Sequence, residues 1–175
     1  MTKATSSSAA GSRAQNSPER VLVIGDDMRA TLAVVRSLGR AGKEVHLAPF
    51  NWHAPVAHSR FVAHVHKLPR NTDAPVWGEA VGQLLAQWRF DLIIPCCDRG
   101  LILIDGAPGT FARAKVARPA PREAVSVLFD KAATRALAGE LGLPVAPGCR
   151  LGAESSAAEL VAGLGLPLYL KPRHS

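Results

Sequence analysis

Val21-Leu22-Val23-Ile24 constrains this chain more than any other stretch. It is an unbroken aliphatic run with no polar residue to mark a wet face. Such a run suits a strand covered on both sides, the situation of parallel sheets. Gly25-Asp26-Asp27 interrupts it. A helix is then expected from about Met28 to Ala41, with Met28, Leu32 and Val35 along one side and Arg29, Arg36 and Arg40 along another. Gly42 ends it, as a glycine just past a helix commonly does. Val45-His46-Leu47-Ala48 supplies a second strand. The result is a βαβ unit, which in a parallel sheet is almost always right-handed.

Downstream, Pro49 to Ser59 reads as a loop and Phe61-Val62-Ala63-His64-Val65 as a short strand. Trp77, Ala80, Val81, Leu84, Leu85 and Trp88 recur at helical spacing and form one apolar stripe. Leu92-Ile93-Ile94 is another buried strand, ending at Pro95-Cys96-Cys97-Asp98; a short helical or turn segment leads to Gly106, and Ala114 to Ala117 suggests one more strand. Pro119 and Pro121 mark a boundary. Beyond it, a helix over Lys131 to Leu141 carries Ala133, Ala136, Leu137 and Leu141 on one face. Ser156 and Glu159 have capping-box spacing for a helix with Ala157, Leu160, Val161 and Leu164 inside, and Leu168-Tyr169-Leu170 reads as a strand. The expected organisation is a Ser/Ala-rich disordered leader over 1–18, an open Rossmann-like α/β domain over 19–120, and a partial α+β subdomain over 121–175.

Composition narrows the function. Hydrophobic content of 47% with 5% aromatics implies an aliphatic core. No apolar run approaches the roughly 20 residues of a membrane span, and the N-terminus lacks a secretory core, so a cytoplasmic location is expected; a transit peptide is the weaker reading. Three cysteines make neither a disulfide framework nor a zinc spacing, and Cys96-Cys97 reads as a pair of small buried hydrophobes. The net charge of +7 is spread over Arg29, Arg36, Arg40, Arg60, Lys67, Arg89 and Arg113 with no aromatic interleaving. That argues against nucleic acid and for attraction of a small anion.

Candidate site residues divide into three groups. Gly25 and Asp26 lie where a doubly wound sheet places its ligand loop, but no G-x-G-x-x-G follows. Two acids there either start the helix or meet a polar substrate, since they would repel a pyrophosphate. Asp98 occupies the equivalent place on another strand, where spacing favours a helix cap over contact with a ligand amine or hydroxyl. His46, His53, His58, His64 and His66 have no metal-motif spacing, and surface and loop roles are expected for them. Lys131, at a helix start, and Lys171, at a strand end, read from spacing alone as two exposed lysines, although a lysine at a helix N-terminus opposes the dipole and so invites an anion.

Context adds a resemblance. Val21 to Gly25 followed by Arg36-Ser37-Leu38-Gly39-Arg40-Ala41-Gly42, then His58-Ser59-Arg60-Phe61, Ile94-Pro95-Cys96-Cys97-Asp98, Asp130-Lys131 with Leu141-Gly142-Leu143-Pro144-Val145, and Leu166-Pro167-Leu168-Tyr169-Leu170-Lys171-Pro172, resembles the opening of ATP-grasp carboxylate–amine ligases. The resemblance covers about Val21 to Pro172. It implies a pre-ATP-grasp domain followed by the start of the ATP-grasp module, and a reaction in which ATP activates a carboxylate as an acyl phosphate for attack by an amine. It gives Lys131 and Lys171 to the ATP phosphates, and Gly25, Asp26 and Asp98 to a substrate cleft in the opening domain. Arg99 stands where the family usually has an acid. The glycine-rich flap, the adenine-binding linker and the Mg ligands would fall beyond Ser175, so this polypeptide is expected to be inactive alone. A homo-oligomer is compatible with the family. Two alternatives stand beside it: a receiver-like domain, with Phe90-Asp91-Leu92-Ile93-Ile94 as its phosphoacceptor strand, and a non-catalytic α/β domain that binds a sugar or an amino acid.

Overall fold

The computed structural model describes residues 18–69 and 73–174; nearly all of the expected leader lies outside them. Four strands, β1 (Arg20–Ile24), β2 (Glu44–Ala48), β3 (Val62–Val65) and β4 (Leu92–Pro95), form an all-parallel sheet in the order β3-β2-β1-β4. The predicted α/β fold class with an open parallel sheet is therefore the observed one.

Strand alternation explains how the aliphatic run is used. Leu22 and Ile24 face one side with Ala48 and Ile93, under Trp77, Val81 and Leu84 of α2 (Ala74–Gln87) and Leu103 and Ile104 of α3 (Asp98–Gly106). Phe111 of the short α4 (Pro108–Phe111) closes that layer. Val21 and Val23 face the other side with Val45 and Leu47, against Val35 of α1 (Ala30–Arg40) and against Ala54 and Val56 near a 3₁₀ turn. All four β1 side chains from Val21 to Ile24 are at most 3% exposed. Each contributes roughly 1.5–3 kcal/mol of burial, which makes β1 the spine of the domain.

Two helices bear out their stripes differently. In α2 the expected Trp77, Val81 and Leu84 are buried, and Ala80, Leu85 and Trp88 pack against them. In α1 the start moves from Met28 to Ala30 and Met28 is exposed. The cause is local: the Asp27 carboxylate accepts hydrogen bonds from the amides of Arg29 (2.8 Å) and Ala30 (2.6 Å), fixing a turn ahead of the helix. The buried stripe accordingly runs through Thr31 and Val35, with Leu38 packed beside them.

The strand expected over Ala114–Ala117 is only a single parallel bridge from Val116 to Ile93, held by Ile93 N–H to Lys115 O and Ala117 N–H to Ile93 O, both 2.8 Å. Pro119 follows closely and has no amide to extend a ladder. Three more helices follow: α5 (Arg122–Phe129), α6 (Lys131–Glu140) and α7 (Ala157–Leu164). Ser156 takes the N-cap position of α7, but its hydroxyl makes no capping bond. Leu168-Tyr169-Leu170 forms no strand, because no described segment offers it a ladder; Tyr169 and Leu170 are about four-fifths exposed. Leu137, Leu141, Leu143, Leu151 and Leu166 are exposed as well, so the apolar faces of this region have no covering layer among the described residues. No described helix is long and apolar enough to cross a membrane.

Candidate functional site

From β1 the chain runs outward to β2 and β3, then returns to the far side of β1 for β4. The crevice beyond the carboxyl ends of β1 and β4 is thus a topological switch point, where open α/β sheets take their ligands. Three loops converge there. Gly25 N–H donates to Ala48 O (3.2 Å), and Cys96 N–H donates to Ile24 O (2.8 Å). Gly25 has φ +145°, and a Cβ at that position would lie 2.9 Å from Thr31 Oγ1 and 3.2 Å from Cys96 Cβ. Glycine is required both for the backbone angle and for the close approach of the β4 loop.

The two acids after Gly25 divide the alternatives that their spacing left open. Asp27 serves the helix start, and the Ala30 and Arg29 amides hold its carboxyl below the usual range. Asp26, half-buried, accepts instead from Asn51 N–H at 2.7 Å and ties the β1 loop to the β2 loop. Asp98 does not cap α3. That role falls to Cys97, whose extended backbone (φ −153°, ψ 159°) turns its Sγ to accept from Gly100 N–H at 3.4 Å. Asp98 is the first residue of the helix and acts on the dipole. Burial pushes the Cys97 thiol up, and the charges of Asp26 and Asp98 push it further, so both acids gather around Cys97. Burial also raises Cys96, to about 11. Both thiols stay protonated and unreactive near neutral pH, as expected for buried small hydrophobes. Across the crevice, the Arg99 guanidinium lies 4.3 Å from the Phe50 ring centre. Arg99 was noted in the sequence only as standing where the family usually has an acid; Asn51 and Phe50 were not singled out, their only signal being that they follow the end of β2.

The receiver-like alternative expects its acceptor aspartate at the end of that strand near Pro95; Asp91 instead sits just before its start, accepting from Arg20 N–H at 2.8 Å. Residues 95–97, at the carboxyl end of β4, include no aspartate.

The second group centres on Asp130. Its carboxylate caps α6 through the amides of Ala132 (2.9 Å) and Ala133 (3.1 Å), and it also receives Arg173, with Nε to Oδ2 at 2.7 Å and Nη2 on the same oxygen. The Arg173 guanidinium, then those two amides, hold the Asp130 carboxyl far below the usual carboxylate range. Lys131 N–H donates to Arg173 O at 3.0 Å. The start of α6 and the segment after Leu170 are therefore fastened together, and Lys131 and Lys171 both expose their side chains at that junction. The helix-start position predicted for Lys131 is observed, whereas Lys171 ends no strand.

Histidine placement departs from expectation. His53 and His58 are exposed, but His46 is fully buried. Its Nδ1 lies 2.7 Å from His66 Nε2 and its Nε2 lies 2.8 Å from Glu44 Oε1. Its ring centre is 4.6 Å from that of His64, and Trp88 and Phe90 close over the group edge-on. The reason is register: His46 pairs with Leu22, on the face that α2 covers.

No protein-family model matches the chain, and no curated protein matches it in sequence. Solved structures do. The L-amino acid ligase of Bacillus licheniformis superposes with a TM-score of 0.62 at 14% identity, over 90% of this chain and 38% of that one. N5-carboxyaminoimidazole synthetase of Staphylococcus aureus, complexed with ADP, gives 0.60 at 16% identity, over 90% and 39%. The biotin carboxylase domain of the Hydrogenobacter thermophilus 2-oxoglutarate carboxylase, in complex with MgADP, ADP and bicarbonate, gives 0.56 at 15% identity, over 85% and 33%. The chain shares its fold with these ligase and carboxylase structures, as the motif resemblance implied. The chain spans well under half the length of each of these proteins.

Proposed function

We propose that this chain forms the opening domain and the first part of the nucleotide-binding module of an ATP-dependent carboxylate–amine ligase, and that it does not complete the reaction by itself. The observation carrying this reading is the junction at Asp130, which brings Lys131, at a helix N-terminus, beside the segment that bears Lys171. Two exposed lysines at one junction suit the phosphates of a nucleotide, each able to make a charge-assisted contact. ATP supplies the phosphoryl group that activates a carboxylate; Lys131 and Lys171 would hold its phosphates. The uncovered apolar side chains after Leu137 support a module whose remaining layer lies outside the described residues.

The same junction does not fit Mg. Asp130, the carboxylate beside these lysines, is committed to two amides and to Arg173, so no step is assigned to a metal there. In the opening domain, Gly25, Asp26 and Asp98 line the switch-point crevice with Arg99 nearby. Acids facing a cation suit a small substrate that carries an amine or hydroxyl at one end and a carboxylate at the other.

Titration of the 175-residue chain with ATP, followed through its backbone amide resonances, tests the reading. Weak, saturable shifts are expected at Lys131 to Ala133 and at Lys171 to Arg173. Lys131→Met or Lys171→Met should weaken binding roughly ten- to a hundredfold, the worth of a charge-assisted contact. Shifts elsewhere, or the same affinity in both variants, would refute the assignment.

A further inference from the structure

We propose that Glu44, His46 and His64 form a binding site for a divalent transition-metal ion, zinc in the first place, separate from the crevice and from the lysine junction. One ligand atom from each of the three lies within 4.8 Å of the other two. Two imidazoles and one carboxylate are a recurring zinc set, with bonds of about 2.0–2.2 Å and a fourth position left to water. Tetrahedral bonds of that length put ligand atoms roughly 3.3 Å apart. His46 Nε2 and Glu44 Oε1, at 2.8 Å, need to open by only about half an ångström. His64, on the adjoining strand and exposed, can close by rotating its side chain.

The surroundings are those of a metal site and not of a chance contact. His46 Nδ1 faces His66 Nε2 at 2.7 Å, so His66 can accept the Nδ1 proton and leave the His46 Nε2 lone pair for the metal. Arg20 fixes the carboxylate, Nε to Oε1 at 2.8 Å and Nη2 to Oε2 at 3.2 Å. A carboxylate has further lone pairs to offer. Trp88 and Phe90 cover the buried side, while His64 faces solvent and provides entry. No other described group of histidine, cysteine and acidic side chains meets the same geometry.

Calorimetric titration of the chelator-treated chain with zinc chloride reads the proposal directly. One equivalent is expected to bind saturably, with a matching rise in melting temperature, and magnesium chloride should not replace it, since Mg prefers an all-oxygen octahedral set. His64→Ala, at an exposed position that leaves the core intact, should weaken zinc binding by at least roughly tenfold. A double variant of the exposed His53 and His58, each to alanine, should bind as the parent does. Absence of saturable binding, equal affinity in His64→Ala, or loss of binding in the His53/His58 variant would each overturn the site.

Discussion

Replacing Gly25 with alanine tests the construction of the crevice. At φ +145° an L-residue is strained by about 1–3 kcal/mol. The new methyl would also sit 2.9 Å from Thr31 Oγ1 and 3.2 Å from Cys96 Cβ, and neither neighbour is the far end of a flexible side chain. Overpacking of this kind adds about 1–3 kcal/mol. Together the effects come to roughly 2–6 kcal/mol, and a domain of about 100 residues loses about 4–8 °C per kcal/mol, so the melting temperature should fall by at least roughly 8 °C. Gly42→Ala is the internal comparison. Its φ of +74° is also left-handed, yet nothing lies within 4 Å of the added carbon, so strain alone, about 1 kcal/mol, should remain. Thermal melts of both variants by far-ultraviolet circular dichroism decide the matter. A Gly25→Ala protein that melts no lower than Gly42→Ala would mean that the β1 and β4 loops are not in close contact.

Asp130→Ala should release the segment around Arg173, raising hydrogen exchange at the Lys131 amide by roughly tenfold or more, while β1 amides keep their protection. Because burial raises the Cys96 thiol from 9.0 to about 11, its contribution to stability is fully present below the unfolded value and is lost as pH rises from about 9 to 11. Cys96→Ala should flatten that part of the stability curve, as read by urea denaturation at a series of pH values. At pH 8, iodoacetamide should label the exposed Cys149 well before Cys96 or Cys97, as resolved by mass spectrometry of the digested protein.

The sheet was legible because an aliphatic run with no polar break can only be buried on both faces. The α2 stripe was legible because six apolar positions fix one face at helical spacing. What the sequence concealed was decided by single backbone angles and by register. Cys97 and not Asp98 caps α3 because of one extended residue, and a thiol is a cap that spacing rules do not weight. His46 reads as a polar residue in a short strand; only its pairing with Leu22 places it under Trp88 and Phe90. Leu168-Tyr169-Leu170 has the composition of a strand, yet a strand is a relation between segments and no described neighbour supplies it. The lysine junction was half visible. The helix start before Lys131 could be read, but Arg173, which ties the later segment to Asp130, carried no local signal.

The order β3-β2-β1-β4 has a consequence for how the chain comes to be folded. Pairing of β1 with β2 joins residues 24 apart, as in the Arg20–Glu44 contact, whereas the β4 side of β1 closes through residues 71 apart, as between Arg20 and Asp91. During synthesis the Val-Leu-Val-Ile strand therefore waits with one edge bare until β4 emerges, and local contacts cannot shorten the wait. A short, uncharged, proline-free run of that kind is also what cross-β assemblies recruit. Chains stalled or cut between α2 and β4 would expose it, which makes the connection before Leu92 the stretch where loss of the downstream chain would convert the core of this domain into a seed for aggregation.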